Sequence, residues 1–345
     1  MNNSTTMKTP KILCSLAAFA LAQGSLFAAT TDPVGFVSVN VPAASDAIVA
    51  VPLNRTSEFK GLTSAFSGTS GTVTITVSGT PGWTNGQFIP LTTNNKTYAL
   101  QFASGAKEGL TMPITNNGGN TITVTVNPAD DLTGVLANGE QIDVVAYWTP
   151  ASLFSSPPDG SELFSFAPLS GSAPAGTNLS PSVLLVFDAG TGVWIDQVSE
   201  LSRAHLPLEF GASFGFRNNS ASVYTASFVG SVPMSKHRTR LATLANNTDQ
   251  DIRVGYTSPI PELLSAVGFP AVSGDQLFVY NNGATGKNKS PSQILVFDTE
   301  WLDSITESPV PTFQLQPGYG YVFRKFRTAN STVAVWTDLQ SYLTP

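Results

Sequence analysis

The sequence has one cysteine, two histidines and few charges: Asp, Glu, Lys and Arg make up 12% of its 345 residues, where an ordinary soluble domain has about 25%. Cys14 lies in an N-terminal stretch that reads as a secretory signal, residues 1–29. Lys8 and Lys11 form a basic start, Ile12 to Ala22 is apolar, Ser25-Leu26-Phe27-Ala28-Ala29 offers small residues for cleavage, and no acidic residue precedes Asp32. The apolar run is shorter than the ~20 residues a spanning helix needs, so cleavage is expected rather than anchoring. Cys14 follows Lys11-Ile12-Leu13 too early in that run to make a lipobox. The mature chain is then cysteine-free, which excludes disulfides, thiolate metal sites and a cysteine nucleophile. Loss of Lys8 and Lys11 leaves 15 of the 17 Lys and Arg against 23 Asp and Glu, a net charge of −8. That balance argues against nucleic acid as a partner, because phosphate recognition needs dense positive charge. No later segment is apolar enough to span a membrane as a helix. The 24 prolines interrupt the ten-residue alternating strands that an outer-membrane barrel would need.

Hydrophobic residues reach 41%, enough for real cores, and Thr, Ser, Asn and Gly take the place of charge. In the region 30–140, Val73, Ile75 and Val77 alternate with threonines, as do Ile122, Val124 and Val126, and Tyr98, Leu100 and Phe102 share the two-residue period. This is antiparallel sheet with one buried face and one wet, threonine-rich face. Asn116-Asn117-Gly118-Gly119 reads as a turn between two of these strands. Phe59, Leu62 and Phe66 have helical spacing and predict a short helical turn.

A self-similarity at ~110 residues organises the rest of the chain. Ser180-Pro181-Ser182-Val183-Leu184-Leu185-Val186-Phe187-Asp188 returns as Ser290-Pro291-Ser292-Gln293-Ile294-Leu295-Val296-Phe297-Asp298. In the same order, Ile142-Asp143-Val144 returns as Ile252-Arg253-Val254, and Tyr147 with Thr149-Pro150 as Tyr256 with Ser258-Pro259. Gly160 to Phe164 returns as Gly274 to Phe278, Trp194-Ile195-Asp196 as Trp301-Leu302-Asp303, and Gly211 to Arg217 as Gly318 to Arg324. Two copies of one module are expected, at 141–232 and 233–345. Each predicts a strand at Ile142–Tyr147 or Ile252–Tyr256. A short helix follows, capped by Thr149 or Ser258 with proline at the first position, and Gly268 ends the second one. The apolar runs Val183–Phe187 and Ile294–Phe297 suit strands buried on both faces. The polar loops 167–179 and 281–289 suit the surface.

Several of these residues resemble an uncharacterised, paralogue-rich family of secreted bacterial β-rich proteins. The carriers are Asp32-Pro33-Val34-Gly35-Phe36 just after the signal, Ala50-Val51-Pro52-Leu53, Phe228-Val229-Gly230-Ser231-Val232-Pro233, and Gln316-Pro317-Gly318-Tyr319-Gly320-Tyr321 followed by Phe323-Arg324. The first copy departs from the pattern, with Phe210 where the second has Pro317. The resemblance implies location and architecture, and no activity.

Candidate chemistry is sparse. Gly211-Ala212-Ser213-Phe214-Gly215 matches the nucleophile-elbow pattern, but that motif needs a strand, a strained turn and a helix. Here strand and loop residues follow, and Ser213 aligns with Gly320. His205 and His237 lack metal-ligand spacing. Asp130-Asp131 is the obvious carboxylate pair, yet neighbours on a strand point opposite ways. Asp249 and Asp251 with Asn246 and Asn247 form no calcium loop. Lys236, His237, Arg238 and Arg240 are the basic cluster, fit either for an anionic polysaccharide or for a charged edge strand. Trp194 with Asp196, and Trp301 with Asp303, are the best ligand-binding candidates. An indole stacks on a sugar ring and a carboxylate two residues on takes its hydroxyls; the alternative is a core tryptophan and a turn-capping aspartate, since a large aromatic is mostly buried.

The sequence therefore predicts an all-β protein: an N-terminal antiparallel β domain followed by two related β-sandwich-like modules with short helical turns. The expected role is non-catalytic and exported, a structural or adhesive/interaction protein of the cell surface, periplasm or extracellular space. The alternative is carbohydrate binding through the Trp/Asp faces. No catalytic, metal or cofactor residue is predicted, and extracellular polysaccharide or other surface proteins are the expected partners.

Overall fold

The computed structural model describes residues 32–89, 96–127, 130, 132–167, 176–241, 248–327 and 334–343. The signal segment, Asp131, Asn246 and Asn247 lie outside the described residues. Residues 32–345 form one compact unit, and its folding is all-β.

The chain opens with β1 (Val34–Val41) and β2 (Ser45–Ala50). Six strands follow: β3 (Ser57–Ser67), β4 (Thr72–Val77), β5 (Tyr98–Phe102), β6 (Thr111–Asn117), β7 (Thr121–Thr125) and β8 (Gln141–Ala146). They close into an antiparallel barrel in the order β3-β4-β7-β6-β5-β8, which leaves no free sheet edge. Val73, Ile75, Val77, Ile122 and Val124 are buried inside it while their threonine neighbours alternate outward, as the period of two dictates. The turn at Asn117–Thr121 is closed by Gly118 N–H donating to the Thr121 carbonyl at 2.9 Å.

The helical turn expected at Phe59, Leu62 and Phe66 is instead part of β3. Phe59 and Phe66 both pack on the barrel core although seven residues separate them, an odd number that puts regular strand residues on opposite faces. The register shift between Thr63 and Ala65, which lies between the two phenylalanines, resolves this, because a bulge turns the strand by one residue. Bulged alternation imitates helical spacing.

After the barrel come α1 (Pro150–Leu153), β9 (Glu162–Ser165), β10 (Val183–Asp188), β11 (Val193–Asp196), β12 (Ser213–Asn218) and β13 (Tyr224–Ser231). The last third holds β14 (His237–Leu241), β15 (Gln250–Gly255), β16 (Glu262–Leu263), β17 (Gln276–Val279), β18 (Gln293–Phe297), β19 (Trp301–Asp303), β20 (Gln314–Leu315), β21 (Gly320–Lys325) and β22 (Ala334–Asp338). Two five-stranded sheets have matching orders, β11-β10-β9-β12-β2 and β19-β18-β17-β21-β15, and two ribbons match likewise, β1-β13 and β14-β22. The strand that answers to Ile252–Val254 is therefore β2, not Ile142–Val144. β8 pairs with β3 and β5 and belongs to the barrel. The first copy comprises β1, β2 and the chain from about Trp148 to Ser231, with the barrel inserted where the second copy has only the few residues between β15 and Ser258-Pro259. Loop-like junctions tolerate such insertions.

Two local expectations change for physical reasons. Thr149 does cap α1 through a full capping box, its hydroxyl accepting from Ser152 N–H at 3.2 Å and the Ser152 hydroxyl accepting from Thr149 N–H at 2.9 Å. Ser258 caps no helix: its hydroxyl accepts from Ile260 N–H, and β16 follows. Pro261 is the cause, since the residue before a proline avoids helical backbone. The apolar runs in β10 and β18 are fully buried on one face at most. Val183, Leu185 and Phe187 are inside, while Leu184 and Val186 are half-buried.

The copies face each other through reciprocal contacts. Within the first copy Arg217 grips Asp46 with two bonds (Nε to Oδ1 2.7 Å, Nη2 to Oδ2 3.0 Å), and within the second Arg324 grips Asp251 with the same atoms at the same lengths. Each aspartate also accepts a backbone N–H from a loop of the opposite copy: Asn288 donates to Asp46 at 2.5 Å, and Asn178 to Asp251 at 2.6 Å. Both asparagines hold positive φ, 51° and 54°, which this residue type tolerates. Gly286 and Gly176 supply matching carbonyls to Asp46 N–H and Asp251 N–H. Most described residues of the two loops lie at the surface, as expected, Asn178 and Asn288 among the exposed ones, and the loops also reach across to the opposite copy. Ala50 N–H donates to the Gly318 carbonyl and Gly255 N–H to the Gly211 carbonyl, again reciprocally. This is the pattern of an isologous two-fold interface, here within one chain.

Candidate functional site

The residues proposed to bind sugar are inside. Trp194 has no exposed surface and lies against Phe154 and Phe187, with ring centroids 6.1 and 5.4 Å away. Trp301 is 7% exposed and lies against Phe269 and Phe297. Neither indole presents a ring face to solvent, so the stacking chemistry is not available to either. The aspartates cap turns: Asp196 Oδ1 accepts from Val198 and Ser199 N–H at 2.9 and 3.2 Å, and Asp303 Oδ1 from Ile305 and Thr306 N–H at 2.9 and 3.1 Å. The Val198 amide holds the Asp196 carboxyl below its usual range, and the Gln293 side chain does the same for Asp303.

Ser213 sits in β12, buried, its hydroxyl donating to the Tyr321 carbonyl at 3.3 Å, with no helix following. Asp249 accepts from Arg327 N–H, Asp251 is the clasp residue above, and among the described residues no three His, Cys, Asp or Glu gather as a metal site. Asp130 pairs with Arg240. His205 is exposed, as is Glu209 nearby.

The basic cluster joins β14 to the barrel. Arg238 donates from Nε to the Glu108 carbonyl and from Nη2 to the Ala106 carbonyl, and Lys236 pairs with the Glu108 carboxylate at 3.2 Å. A polysaccharide would have to displace these contacts.

Beside this junction lies a cavity of about 510 Å3, within the ~300–1,000 Å3 of small-molecule sites. The barrel contributes Leu110, Thr111 and Tyr147, the first copy Phe166 and Glu209–Phe214, the second His237–Arg240 and Gln250–Arg253. Solvent reaches its rim at Pro113, Glu209 and Arg240. Three of the residues that line it carry a buried polar atom without a hydrogen-bond partner: Thr111 Oγ1, His237 Nε2 and Thr239 Oγ1. Its charges are largely compensated, with Arg240 on Asp130, Asp251 on Arg324, and Arg253 lying 3.9 Å over the Phe166 ring. Glu209 stands at the mouth. Solvent touches the residue, yet the surrounding protein pushes its carboxyl above the usual range while Arg240 pulls the other way.

Burial lowers the His237 imidazole from 6.5 to about 4, so it is neutral near pH 7. Its cross-strand partner Asp338 goes the other way, from 3.8 to about 6, chiefly by burial, with Thr257 opposing and Glu262 adding repulsion. The two make opposite contributions to stability. Unfolded His237 takes a proton below pH 6.5 and the folded residue does not until about 4, so its contribution falls as pH drops. Unfolded Asp338 ionises above 3.8 and the folded residue only near 6, so its contribution falls as pH rises. Each amounts to at most roughly 3 kcal/mol, and in the native protein they offset. Urea unfolding between pH 4 and 6.5 separates the two when each variant is compared with the unchanged protein, whose other raised carboxyls, Glu209 and Asp143, act in the direction of Asp338. Relative to that protein, His237→Val should make stability fall with pH across that window, and Asp338→Asn should make it rise. Parallel profiles for the two variants would contradict the assignment.

The sequence flagged His237 and Arg240 but not Thr111, Thr239, Glu209 or Arg253. The signal was there in the pairing of the copies: Val37-Ser38-Val39 answers to His237-Arg238-Thr239 once β1 is matched to β14. No family model matches the chain, and no curated protein or solved structure matches it.

Proposed function

We propose that the chain is an exported, non-catalytic structural or adhesive interaction protein of the cell surface, periplasm or extracellular space. The observation that carries this is the use made of the repeated residues. Side chains present in both copies fix the exchange between them instead of converging on a reacting centre: Arg217 and Arg324 each hold an aspartate of their own copy and donate to Asn288 or Asn178 of the opposite one, whose backbone N–H bonds that aspartate. The reciprocal clasp and the closed barrel make a rigid body suited to presenting surfaces. The basic start, apolar run and small residues at the N-terminus support export, and the resemblance of Asp32-Pro33-Val34-Gly35-Phe36 to secreted β-rich proteins agrees with it. Among the described residues no helix is long and apolar enough to cross a membrane.

The test is fractionation of the tagged protein in its native host, with the N-terminus of the recovered chain sequenced and surface cross-linking to capture neighbours. Recovery outside the cytoplasm with a start near Thr30 is expected. A cytoplasmic protein that keeps Met1 or Asn2 would overturn the proposal.

A further inference from the structure

We infer that the cavity between the barrel and the two copies is a binding site for a neutral, hydroxyl-rich small molecule of one or two sugar rings. The two copies supply an internal comparison. Gly318 and Gly211 are equivalent, each accepting a backbone bond from the opposite copy. A Cβ on Gly318 would lie 2.7 Å from Val39 Cγ2 and 3.0 Å from Val37 Cγ1. A Cβ on Gly211 would lie 2.4 Å from Thr239 Oγ1 and 2.5 Å from His237 Nε2. The same spot in the fold is therefore filled by two valines in one copy and by a histidine and a threonine in the other. Val37 and Val39 belong to a continuous apolar core, while His237 and Thr239 border open volume.

A buried polar atom without a partner costs about 1–3 kcal/mol. A fold that already packs this position with valine has no structural need for the polar pair. Thr111, from the barrel wall, lines the same cavity and carries a third unpartnered atom, Oγ1. Threonine hydroxyls donate and accept, and a neutral imidazole nitrogen does one or the other, which is the complement of sugar hydroxyls. Phe166, Phe210 and Phe214 add apolar wall for the ring carbons. A charged ligand fits less well, because Arg240, Arg253 and Asp251 are already engaged and would have to give up partners.

This inference does not depend on export, which the fractionation reads separately. The experiment is a titration of the full chain with glucose, galactose, N-acetylglucosamine and cellobiose, followed by calorimetry and by imidazole NMR. Glucuronate and inorganic phosphate serve as anionic comparisons. The chain has two histidines, so their signals are separable. At least one neutral sugar is expected to bind with a millimolar or tighter Kd and to move the His237 resonance while leaving His205 in place. His237→Val/Thr239→Val, which installs the residues of the first copy, should weaken that sugar about tenfold or more. Thr111→Val, an isosteric change on the separate barrel wall, should weaken it in the same direction and stands in if the double variant does not fold. The inference is overturned if no neutral sugar moves His237, if binding is unchanged in both variants, or if only the anions bind.

Discussion

Gly320→Ala is expected to destabilise the protein by about 3–4 kcal/mol, and Ser213→Gly in the same chain to recover most of the loss. Gly320 and Ser213 are equivalent residues that meet where the two copies face each other. A Cβ on Gly320 would stand 2.2 Å from the Cβ of Ser213, closer than two carbon atoms can come, and 2.8 Å from Ile48 Cγ2. Neither neighbour is free to retreat. Ser213 is a buried strand residue paired with Ala50, and Ile48 is tied at both backbone groups to the Asn282 side chain, at 2.9 and 2.8 Å. Overpacking usually costs about 1–3 kcal/mol, and this clash is backbone-anchored on both sides, hence the upper estimate. Ser213→Gly removes the facing Cβ but leaves Ile48, so rescue is incomplete. Ser213→Gly alone should cost about 1 kcal/mol through added chain freedom and the lost bond to the Tyr321 carbonyl. A urea double-mutant cycle measures the coupling. Additive costs would mean that the two residues do not oppose each other.

The same geometry explains why serine aligns with glycine. Gly255 faces Ala50 in the same way, its Cβ position 2.7 Å from the Ala50 Cβ and 2.4 Å from the Ala212 carbonyl. Around the local two-fold there is room for one Cβ in each pair, so duplicated residues had to diverge there. The difference between Ser213 and Gly320, which from sequence speaks only against a nucleophile, records the contact between the copies.

The all-β class, the barrel strands around Ile75 and Ile122, and the duplicated strands from Glu162 onward were legible because alternation and repetition are local signals. What was not legible depends on chain distant in sequence. Ile142-Asp143-Val144 imitates Ile252-Arg253-Val254 because a buried strand has a limited vocabulary. The true counterpart of β15 lies in β2, before the barrel, and the likeness of Asp46 to Asp251 shows only when the barrel is removed. Loop polarity placed the loops at the surface but said nothing of what they touch. Asn178 and Asn288 are surface residues, and their bonds to Asp251 and Asp46 are visible only with the opposite copy in place. The cavity was least legible of all. Thr239 carries no signal in its own neighbourhood, and its meaning comes from Val39, two hundred residues earlier, occupying the same position in the other copy.

Asp251→Ala and Asp46→Ala should each cost about 3–5 kcal/mol, and each should loosen the copy it does not belong to. Asp251 is 5% exposed in its side chain and accepts three bonds, two from Arg324 and one from the Asn178 backbone. Removing it leaves a guanidinium that is 20% exposed without its carboxylate, and a backbone N–H without an acceptor. Breaking a partly buried pair from one side costs about 3–5 kcal/mol, because the remaining charge stays desolvated. Asp46 is 18% exposed and also shares Arg217 with Glu162, so its removal should fall at the lower end. Arg324→Lys should not substitute, since an ammonium cannot make the two parallel bonds. Hydrogen exchange distinguishes a clasp from an ordinary surface ion pair. Asp251→Ala should speed exchange at Gly176 and Asn178, whose amides bond to Gln250 and Asp251, while Gly286 and Asn288 stay protected. Asp46→Ala should do the reverse. A cost below about 1 kcal/mol, the range of exposed pairs, or loosening confined to the mutated strand would show that the copies are held together by their apolar contacts and not by these crossing loops.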